Sequence, residues 1–391
     1  MDIKSLREQY GDYAIARRRY YHAHPELPEQ EKETCEAICR DLLEMGITDI
    51  RMMETCHGLV ATIHGGKSGK TVALRTDIDA LPVQEATGLS FASVNPGVMH
   101  ACGHDAHIAM LLGAAKILNA CKDELQGDVR LVVQPSEELA SGAAAMVREG
   151  ALDGVDAIYG HHVMGDLDAP FFSVGHGPRM AGAAFFTIDV EGFAAHGSTP
   201  HDGKDAITTA AAIINNLQQC VSRLNDPKKP LVLTIGTIES GGRFNIIPNR
   251  VHMEGTVRTF DENTKVEEHM RRIIECTAAA FDMTATLNFR WLTRVVAHKD
   301  EKLIALAENA AQKLYGPDIL KEIPPMMGSE DFSEYGVKVP YVYCIHGIRD
   351  EEKGHVYSNH HEKFDYDEAC IPRGAAIMAQ FAVDFLFQNG I

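Results

Sequence analysis

Hydrophobic and polar positions alternate along the chain in a way that predicts helices and strands in turn. Helical spacing covers residues 3–23, ending before His24-Pro25, and residues 32–45, ending at Gly46. Apolar runs of strand length follow and alternate with further helical patterns; the runs are residues 59–63, 71–74, 129–133, 157–159 and 341–345. This alternation predicts an α/β fold whose catalytic domain has an open mixed sheet flanked by helices.

The clearest helical pattern follows position 104. It places one apolar face toward the expected core, with Asp105 expected to cap the start of the helix. The residues of that face are Ile108, Leu111, Leu112, Ala115 and Leu118.

Three of the predicted strands run directly into polar clusters at their carboxyl ends. The side chains that follow them are Asp77 and Asp79, Glu137 and Glu138, and His161 and His162. In open α/β sheets, ligands bind in the crevice beyond the carboxyl ends of the strands. The three clusters together therefore predict a single site.

The middle of the chain follows a different order of elements. From about residue 181 to residue 288 the pattern reads strand, helix, strand, strand, helix, strand. That order is typical of the ferredoxin-like α+β fold. We therefore expect an inserted domain over residues 181–291, within a metal-binding catalytic domain made of residues 1–180 and 292–391.

Composition and charge narrow the classes of function. The 391 residues are 45% hydrophobic and 24% charged, and 37 Lys and Arg against 55 Asp and Glu give a net charge of −18. Such an acidic chain is expected to bind neither nucleic acid nor a membrane surface. No apolar run approaches the roughly 20 residues of a membrane span, and the start lacks a secretory pattern. Nine scattered cysteines show no disulfide framework. We expect a cytoplasmic protein.

The densest polar cluster is residues 100–107. Cys102 and His104 lie two residues apart and can offer a thiolate and an imidazole to one metal ion. Two alternatives stay open from these residues alone. The segment can be a polar loop that caps a helix through Asp105, or Cys102 can be a nucleophile activated by His100 or His104.

The adjacent carboxylates Glu137 and Glu138 form the second cluster. Neighbouring side chains diverge, so one can ligate a metal while the other acts as general base toward a metal-bound water. The alternative is a solvated pair at a helix start, where acidic groups suit the helix dipole. Two histidine pairs, at 161–162 and 360–361, bring the clusters of ligand type to four. A site for two dications explains the four clusters better than four unrelated groups of polar residues do.

Seven segments of the chain resemble motifs of a known family. They read LRTDIDALP (74–82), MHACGHDAH (99–107), QPSEE (134–138), GHHV (160–163), FNIIP (244–248), SEDF (329–332) and HHEKF (360–364). In this order the chain resembles, over nearly its whole length, the amidohydrolase branch of the dinuclear aminoacylase and carboxypeptidase-G metallopeptidases. That branch includes hippurate hydrolases, auxin-conjugate hydrolases and N-acyl-amino-acid amidohydrolases.

The resemblance implies roles for residues of the catalytic domain. The positions that match metal ligands are Cys102, His104, Glu138, His162 and His360. His360 is preferred to His361 because the final histidine of the family stands four residues before an aromatic residue, here Phe364. Glu137 matches the general base, and Asp79 matches a carboxylate that orients the ligands from outside the ligand set.

The resemblance also implies roles in the inserted domain, which matches a lid and dimerisation domain. His196 matches a histidine that steadies the tetrahedral oxyanion, and Asn245 and Arg258 match positions that contact the substrate carboxylate. The chain departs from the family where it reads AAHGSTP at 194–200, instead of Gly-Gly-His-Ala-Ala-x-Pro, and at Glu362, where proline is common.

The implied function is metal-dependent hydrolysis of the amide bond of N-acyl amino acids, with acetyl, benzoyl or similar acyl groups. Two divalent ions per subunit are expected, Mn or Zn first and Ni or Co next, and a homodimer is implied. A dipeptidase and an N-acetyl-diaminopimelate-type deacetylase are alternatives on the same site. A non-catalytic metal-binding protein is the alternative of another class.

Overall fold

The computed structural model describes residues 1–388, and the chain divides into two compact units. The larger unit contains Met1–Gly177, Ala297–Pro324 and Asp331–Ile391, and the inserted unit contains Pro178–Val296 and Pro325–Glu330. Of the expected segment 292–391, residues 389–391 lie outside the described part. The assignment of residues 325–330 to the catalytic domain differs from this division. The reason is backbone pairing, since Ala181 N donates to Met326 O (3.1 Å) and Met326 N donates to Arg179 O (2.9 Å).

The elements are numbered in chain order. The helices are α1 (Ile3–Ala23), α2 (Lys32–Glu44), α3 (His104–Ala120), α4 (Gly142–Arg148), α5 (Ala206–Gln219), α6 (Val266–Ala279), α7 (Glu301–Tyr315) and α8 (Cys370–Phe387). The strands are β1 (Asp49–Met52), β2 (Leu59–Ile63), β3 (Lys67–Asp77), β4 (Gln126–Gln134), β5 (Ala157–Asp168), β6 (Phe172–Ser173), β7 (Gly177–Met180), β8 (Gly182–Glu191), β9 (Ala195–His196), β10 (Leu231–Ser240), β11 (Ile246–Ile247), β12 (Arg250–Thr259), β13 (Thr284–Thr293), β14 (Val296–His298) and β15 (Tyr341–Arg349).

The larger unit is built on a mixed sheet of seven strands in the order β1-β2-β4-β3-β5-β15-β6. The four strands β4, β3, β5 and β15 are parallel to one another, whereas β2 pairs antiparallel with β1 and β4, and β6 pairs antiparallel with β15. The predicted open mixed sheet is therefore confirmed. Because β3 and β4 run the same way, the residues that follow them emerge at one edge of the sheet. The expectation that His161 and His162 follow a strand is wrong, because β5 continues to Asp168 and both histidines lie within it.

Helices α1, α3 and α8 belong to the core of this unit. Gly113 of α3 allows their close approach, since a Cβ there would lie 2.9 Å from the Cβ of Ala375 and 3.1 Å from that of Ala14. The single apolar face predicted for α3 is too narrow, because the helix is buried nearly all round. Helix α8 is long and apolar enough to cross a membrane by length and composition alone. It is 83% buried inside the protein, as a core helix is.

The inserted unit is an antiparallel sheet in the order β10-β12-β8-β13, with α5 and α6 packed on one face. Phe186 and Ile188 of β8 share a buried cluster with Ile213 of α5 and Ile274 of α6. The predicted order of strands and helices and the ferredoxin-like fold are confirmed. A separate two-stranded ribbon pairs β9 with β11.

Asp105 does not cap α3, which corrects one expectation. The N-cap position belongs to Gly103, with φ +96°, and no side chain caps it. Asp105 is instead fully buried, and its Oδ2 accepts hydrogen bonds from Arg18 Nε (3.0 Å) and His22 Nδ1 (2.8 Å) of α1. Arg18 also pairs with Asp365 at 3.0 Å. A buried guanidinium needs a carboxylate partner, and that demand outweighs the capping preference of Asp105.

Replacing Asp105 by Asn should lower the free energy of unfolding by about 3 kcal/mol, the low end for breaking a buried ion pair because Asp365 still faces Arg18. Burial alone would raise the pKa of Asp105, but Arg18 and His22 hold it below its usual range. The contribution of the ionised Asp105 to the free energy of unfolding is therefore complete above the unfolded pKa of about 4. It is lost as the pH falls through the lower pKa of the folded state.

Urea unfolding of the metal-loaded protein between pH 7 and pH 3 measures this difference. The matched control is Asp365→Asn, because Asp365 contacts the same guanidinium but is partly exposed. It should cost no more than about 1 kcal/mol. Equal costs for the two variants would contradict the buried pair as the source of the stability.

Candidate active site

The cysteine loop packs closely against the middle of β5. A Cβ at Gly103 would lie 2.4 Å from Cγ2 of Val163, and the φ of +96° favours glycine there as well. Glycine therefore lets Cys102 and His104, on either side of it, approach His162. All three side chains are buried.

Two overlapping groups of ligand-type atoms form at this edge, and both contain Cys102. In the first group, the ligand atoms of Cys102, His104 and His162 all lie within 4.8 Å of one another. In the second, the same holds for Cys102, Glu138 and His360. Cys102 Sγ is 3.3 Å from Nε2 of His162 and 3.3 Å from Nε2 of His360. The five positions that resemble metal ligands are thus brought together.

Hydrogen bonds on the outer side fix the imidazoles. Nδ1 of His104 is 2.8 Å from the backbone oxygen of Asp79, and Nδ1 of His162 is 2.6 Å from that of Val163. Each bond leaves Nε2 as the nitrogen available to a metal, the arrangement that orients histidine ligands in metal sites. The carboxylate of Asp79 meanwhile accepts from the backbone N–H of Glu138 at 3.0 Å. Asp79 thus supports two of the five positions from outside.

The donor set fits divalent metal ions. Within residues 1–388, three buried atoms at this point have no hydrogen-bond partner, namely His104 Nε2, Glu138 Oε1 and Asp79 Oδ1. An unsatisfied buried polar group costs about 1–3 kcal/mol, so a ligand that binds these atoms is expected. A thiolate, imidazoles and carboxylates together suit Zn and the neighbouring first-row ions.

The electrostatics of Cys102 argue against a cysteine nucleophile. Burial, followed by the charges of Glu138 and Glu137, raises the pKa of the Cys102 thiol well above its ordinary value. A nucleophilic cysteine needs the opposite, a lowered pKa beside cationic groups. Burial, and then His107 and His104, lower the pKa of His162, which keeps that imidazole neutral as a ligand must be.

Asp77 lies beside this set but is engaged elsewhere. Its carboxylate binds Nη1 of the buried Arg75 at 2.6 Å and Nδ1 of His107 at 2.6 Å. His107 Nε2 accepts from the backbone N–H of Val163 at 3.0 Å, so a chain of bonds connects β3 to β5. Although burial alone would raise the pKa of Asp77, Arg75, His104 and His107 hold it well below its ordinary value. Sequence reasoning gave Arg75 and His107 no role. For Arg75 a signal was present, because a charged residue inside an apolar strand needs a buried partner of opposite charge.

Asn359 is a third residue to which sequence reasoning gave no role. Its amide donates to the backbone oxygens of Cys102 (2.8 Å) and Val163 (3.1 Å), and its oxygen accepts from Gly165 N (3.0 Å). One side chain therefore holds three segments of the site together. The next residue, His360, has φ +72° and donates its N–H to Ala101 O at 2.7 Å.

In each histidine pair only one member reaches the ligand atoms. His361 is exposed and stacks on Tyr357, with ring centroids 4.4 Å apart. His161 lies buried beside His346, at 5.1 Å between centroids. Successive side chains of a strand point to opposite faces, which separates His161 from His162.

Of the three site residues expected in the inserted unit, two lie on strands and Asn245 directly precedes the strand β11. His196 is on β9 and pairs with Ile246 of β11, so the ribbon carries Asn245 close to it; Gly197 N donates to Asn245 O at 2.9 Å. His196 Nδ1 is 2.7 Å from Ser198 Oγ. Arg258 lies on β12 and donates to the hydroxyl of Ser329.

Comparison with known proteins shows the family of the chain. The model of peptidase family M20/M25/M40 matches residues 73–384. The chain belongs to this family. An N-acetylcysteine deacetylase of Bacillus subtilis is 39% identical over 374 residues, which cover 94% of this chain and 96% of the relative. An N-acyl-L-amino acid amidohydrolase of Geobacillus stearothermophilus is 41% identical over 303 residues, which cover 77% and 82%.

A solved member of the M20 family extends the comparison to the fold. A dinuclear metal-binding peptidase from Bacillus subtilis superposes with a TM-score of 0.84 at 36% identity, over 97% of this chain and 99% of the other. The resemblance stated from the sequence is therefore confirmed, and this M20 chain is a metal-dependent amidohydrolase. Its family includes dinuclear metal-binding enzymes.

Proposed function

We propose that this protein hydrolyses the amide bond of N-acyl amino acids, with Glu137 as the general base. The observation that carries the proposal is the placement of Glu137, whose carboxylate lies within 4.8 Å of the ligand atoms of both His104 and Glu138. It is a carboxylate in addition to the five ligand positions. The names of the deacetylase and amidohydrolase relatives support the same class of substrate.

The metal ions would be held by Cys102, His104, Glu138, His162 and His360. Once bound, two dications supply Lewis-acid activation of a water and polarisation of the scissile carbonyl. Mn or Zn is proposed first, with Ni or Co as further ions that this donor set accepts.

Proton transfer, positioning and substrate binding are then assigned to residues of the chain. Glu137 takes a proton from the attacking water and later gives it to the leaving amine, as a single carboxylate can when it serves as base and then acid. Asp79 keeps His104 and the Glu138 backbone in position through the bonds described above. We assign His196 to stabilisation of the oxyanion, and Asn245 and Arg258 to the substrate carboxylate.

The other proposals concern assembly and location. A homodimer rests on the family resemblance. A cytoplasmic location is supported by the nine cysteines, all of which are free thiols in the described structure.

Activity should depend on metal and on an acyl amino acid substrate. We expect the protein to hydrolyse at least one of a panel of acetyl, benzoyl and longer-acyl amino acids, to lose that activity on chelation, and to regain it with Mn or Zn. Rates and metal content are measured on the same sample before and after chelation. Turnover of dipeptides or N-acetyl-diaminopimelate alone would shift the proposal to those substrates, and activity that survives full metal removal would refute it.

A further inference from the structure

A buried carboxylate outside the ligand set contacts the turn that carries Glu137. Glu31 immediately precedes α2 and has no exposed surface. Its Oε1 accepts two hydrogen bonds from one residue, from the backbone N–H of Ser136 at 2.7 Å and from its hydroxyl at 3.0 Å. Ser136 is the residue immediately before Glu137, so Glu31 acts on the backbone from which the base projects.

Ser136 has a backbone conformation that serine rarely adopts. Its φ is +53°, in the left-handed region that a residue with a Cβ adopts only when contacts hold it there. The contacts are visible, since Glu29 N donates to the Ser136 hydroxyl at 2.9 Å in addition to the two bonds with Glu31. The segment around residues 29–31 therefore holds the turn in place.

A second carboxylate holds the other side of Glu137. The backbone N–H of Glu138 donates to Asp79 Oδ2 at 3.0 Å. The backbone N–H groups on either side of Glu137 thus both donate to buried carboxylates, one from the residue before α2 and one from the segment after β3.

We propose that Glu31 is a positioning residue for catalysis, which holds the Ser136 turn so that the Glu137 carboxylate stays aligned with the attacking water. This inference rests on the proposed role of Glu137 as the base. Glu31 itself touches no reacting atom in this scheme. Its effect passes through Ser136 to the direction of the Glu137 side chain.

The expected result of Glu31→Ala is a fall in kcat of about 10- to 100-fold, the scale of a misplacement near 1 Å. KM and metal content should stay as in the wild type, because neither the ligands nor the substrate contacts are altered. Glu31→Gln keeps an oxygen that can accept both bonds from Ser136, so it should restore most of kcat. Rates are measured on the metal-loaded protein well below its unfolding midpoint.

Glu26 provides a matched control within the same segment. Its Oε2 accepts the backbone N–H of Thr34 at 2.7 Å and the Thr34 hydroxyl at 2.7 Å, the same pattern at the start of α2 instead of at the site. Glu26→Ala should lower the unfolding midpoint and leave kcat unchanged. A fall in kcat equal to that of Glu31→Ala would show a general stability effect and overturn the proposal.

Ser136→Gly tests the same contact from the other partner. Glycine accepts a φ of +53° without strain, so the fold should tolerate the change while the hydroxyl and the restriction of the turn are lost. We expect a fall in kcat of about 10-fold with metal retained. Wild-type kcat in both Ser136→Gly and Glu31→Ala at full metal content would overturn the positioning role, whereas wild-type activity of Glu137→Gln would refute the base itself.

Discussion

Glu137→Gln should lower kcat by about 10²- to 10⁴-fold while the protein keeps its full complement of metal. The range is what a positioned general acid or base contributes, and glutamine has nearly the same volume but cannot accept the proton. Because the resemblance assigns Glu137 no metal to hold, the variant should bind metal as the wild type does. The measurement is kcat on the best substrate of the acyl panel, with metal content determined on the same sample.

Glu138→Gln is the adjacent contrast for this experiment. Glu138 Oε1 lies 3.6 Å from Nε2 of His360, in the second group of ligand atoms, so its replacement should lower both metal content and activity. Of these two neighbours, only Glu137 is therefore expected to lose activity on replacement without loss of metal. If Glu137→Gln keeps most of its activity at full metal occupancy, the base lies elsewhere and the proposed chemistry is wrong.

Much of the site could be predicted from the sequence because Asp79, Glu137 and Glu138 closely follow the apolar strands β3 and β4. Apolar runs with polar residues at their carboxyl ends describe a parallel sheet, and in the structure β3 and β4 pair in register with Asp77 opposite Gln134. The residues that follow β3 and β4 therefore lie at one edge of the sheet, whereas His162 lies within β5. The inserted unit could be predicted for a similar reason, since its amphipathic strands and helices follow one another in a characteristic order.

Contacts between distant side chains were beyond the sequence pattern. Glu31 and Ser136 are 105 residues apart, and Asn359 and Cys102 are 257 apart. Hydrophobic periodicity reports which face of an element is buried, but it does not report which polar group another element brings to it. The prediction that Asp105 caps α3 was wrong for this reason. Arg18 of α1, 87 residues away in sequence, binds the carboxylate instead.

The histidine pair near the end of the chain offers the sharpest test of the ligand set. His360→Ala should reduce the metal bound per subunit and abolish most activity, because His360 Nε2 lies 3.3 Å from Cys102 Sγ. Removing an outer partner of a metal site typically costs about 10- to 100-fold in metal affinity or activity, so loss of a ligand should cost more. Metal titration and kcat at a fixed metal concentration measure both effects.

His361→Ala is the control that separates ligation from a general disturbance of the loop. The two histidines are neighbours in sequence, but His361 stacks on Tyr357 at the surface and its Nδ1 accepts the backbone N–H of Lys363 at 3.0 Å. Its replacement should leave metal affinity and kcat unchanged, because His361 belongs to neither group of ligand atoms. If the two variants lose metal equally, the loop as a whole supports the site and His360 is not a ligand. If only His361→Ala loses metal, the assignment within the pair is reversed. His361 is then the ligand that binds metal together with Cys102 and Glu138.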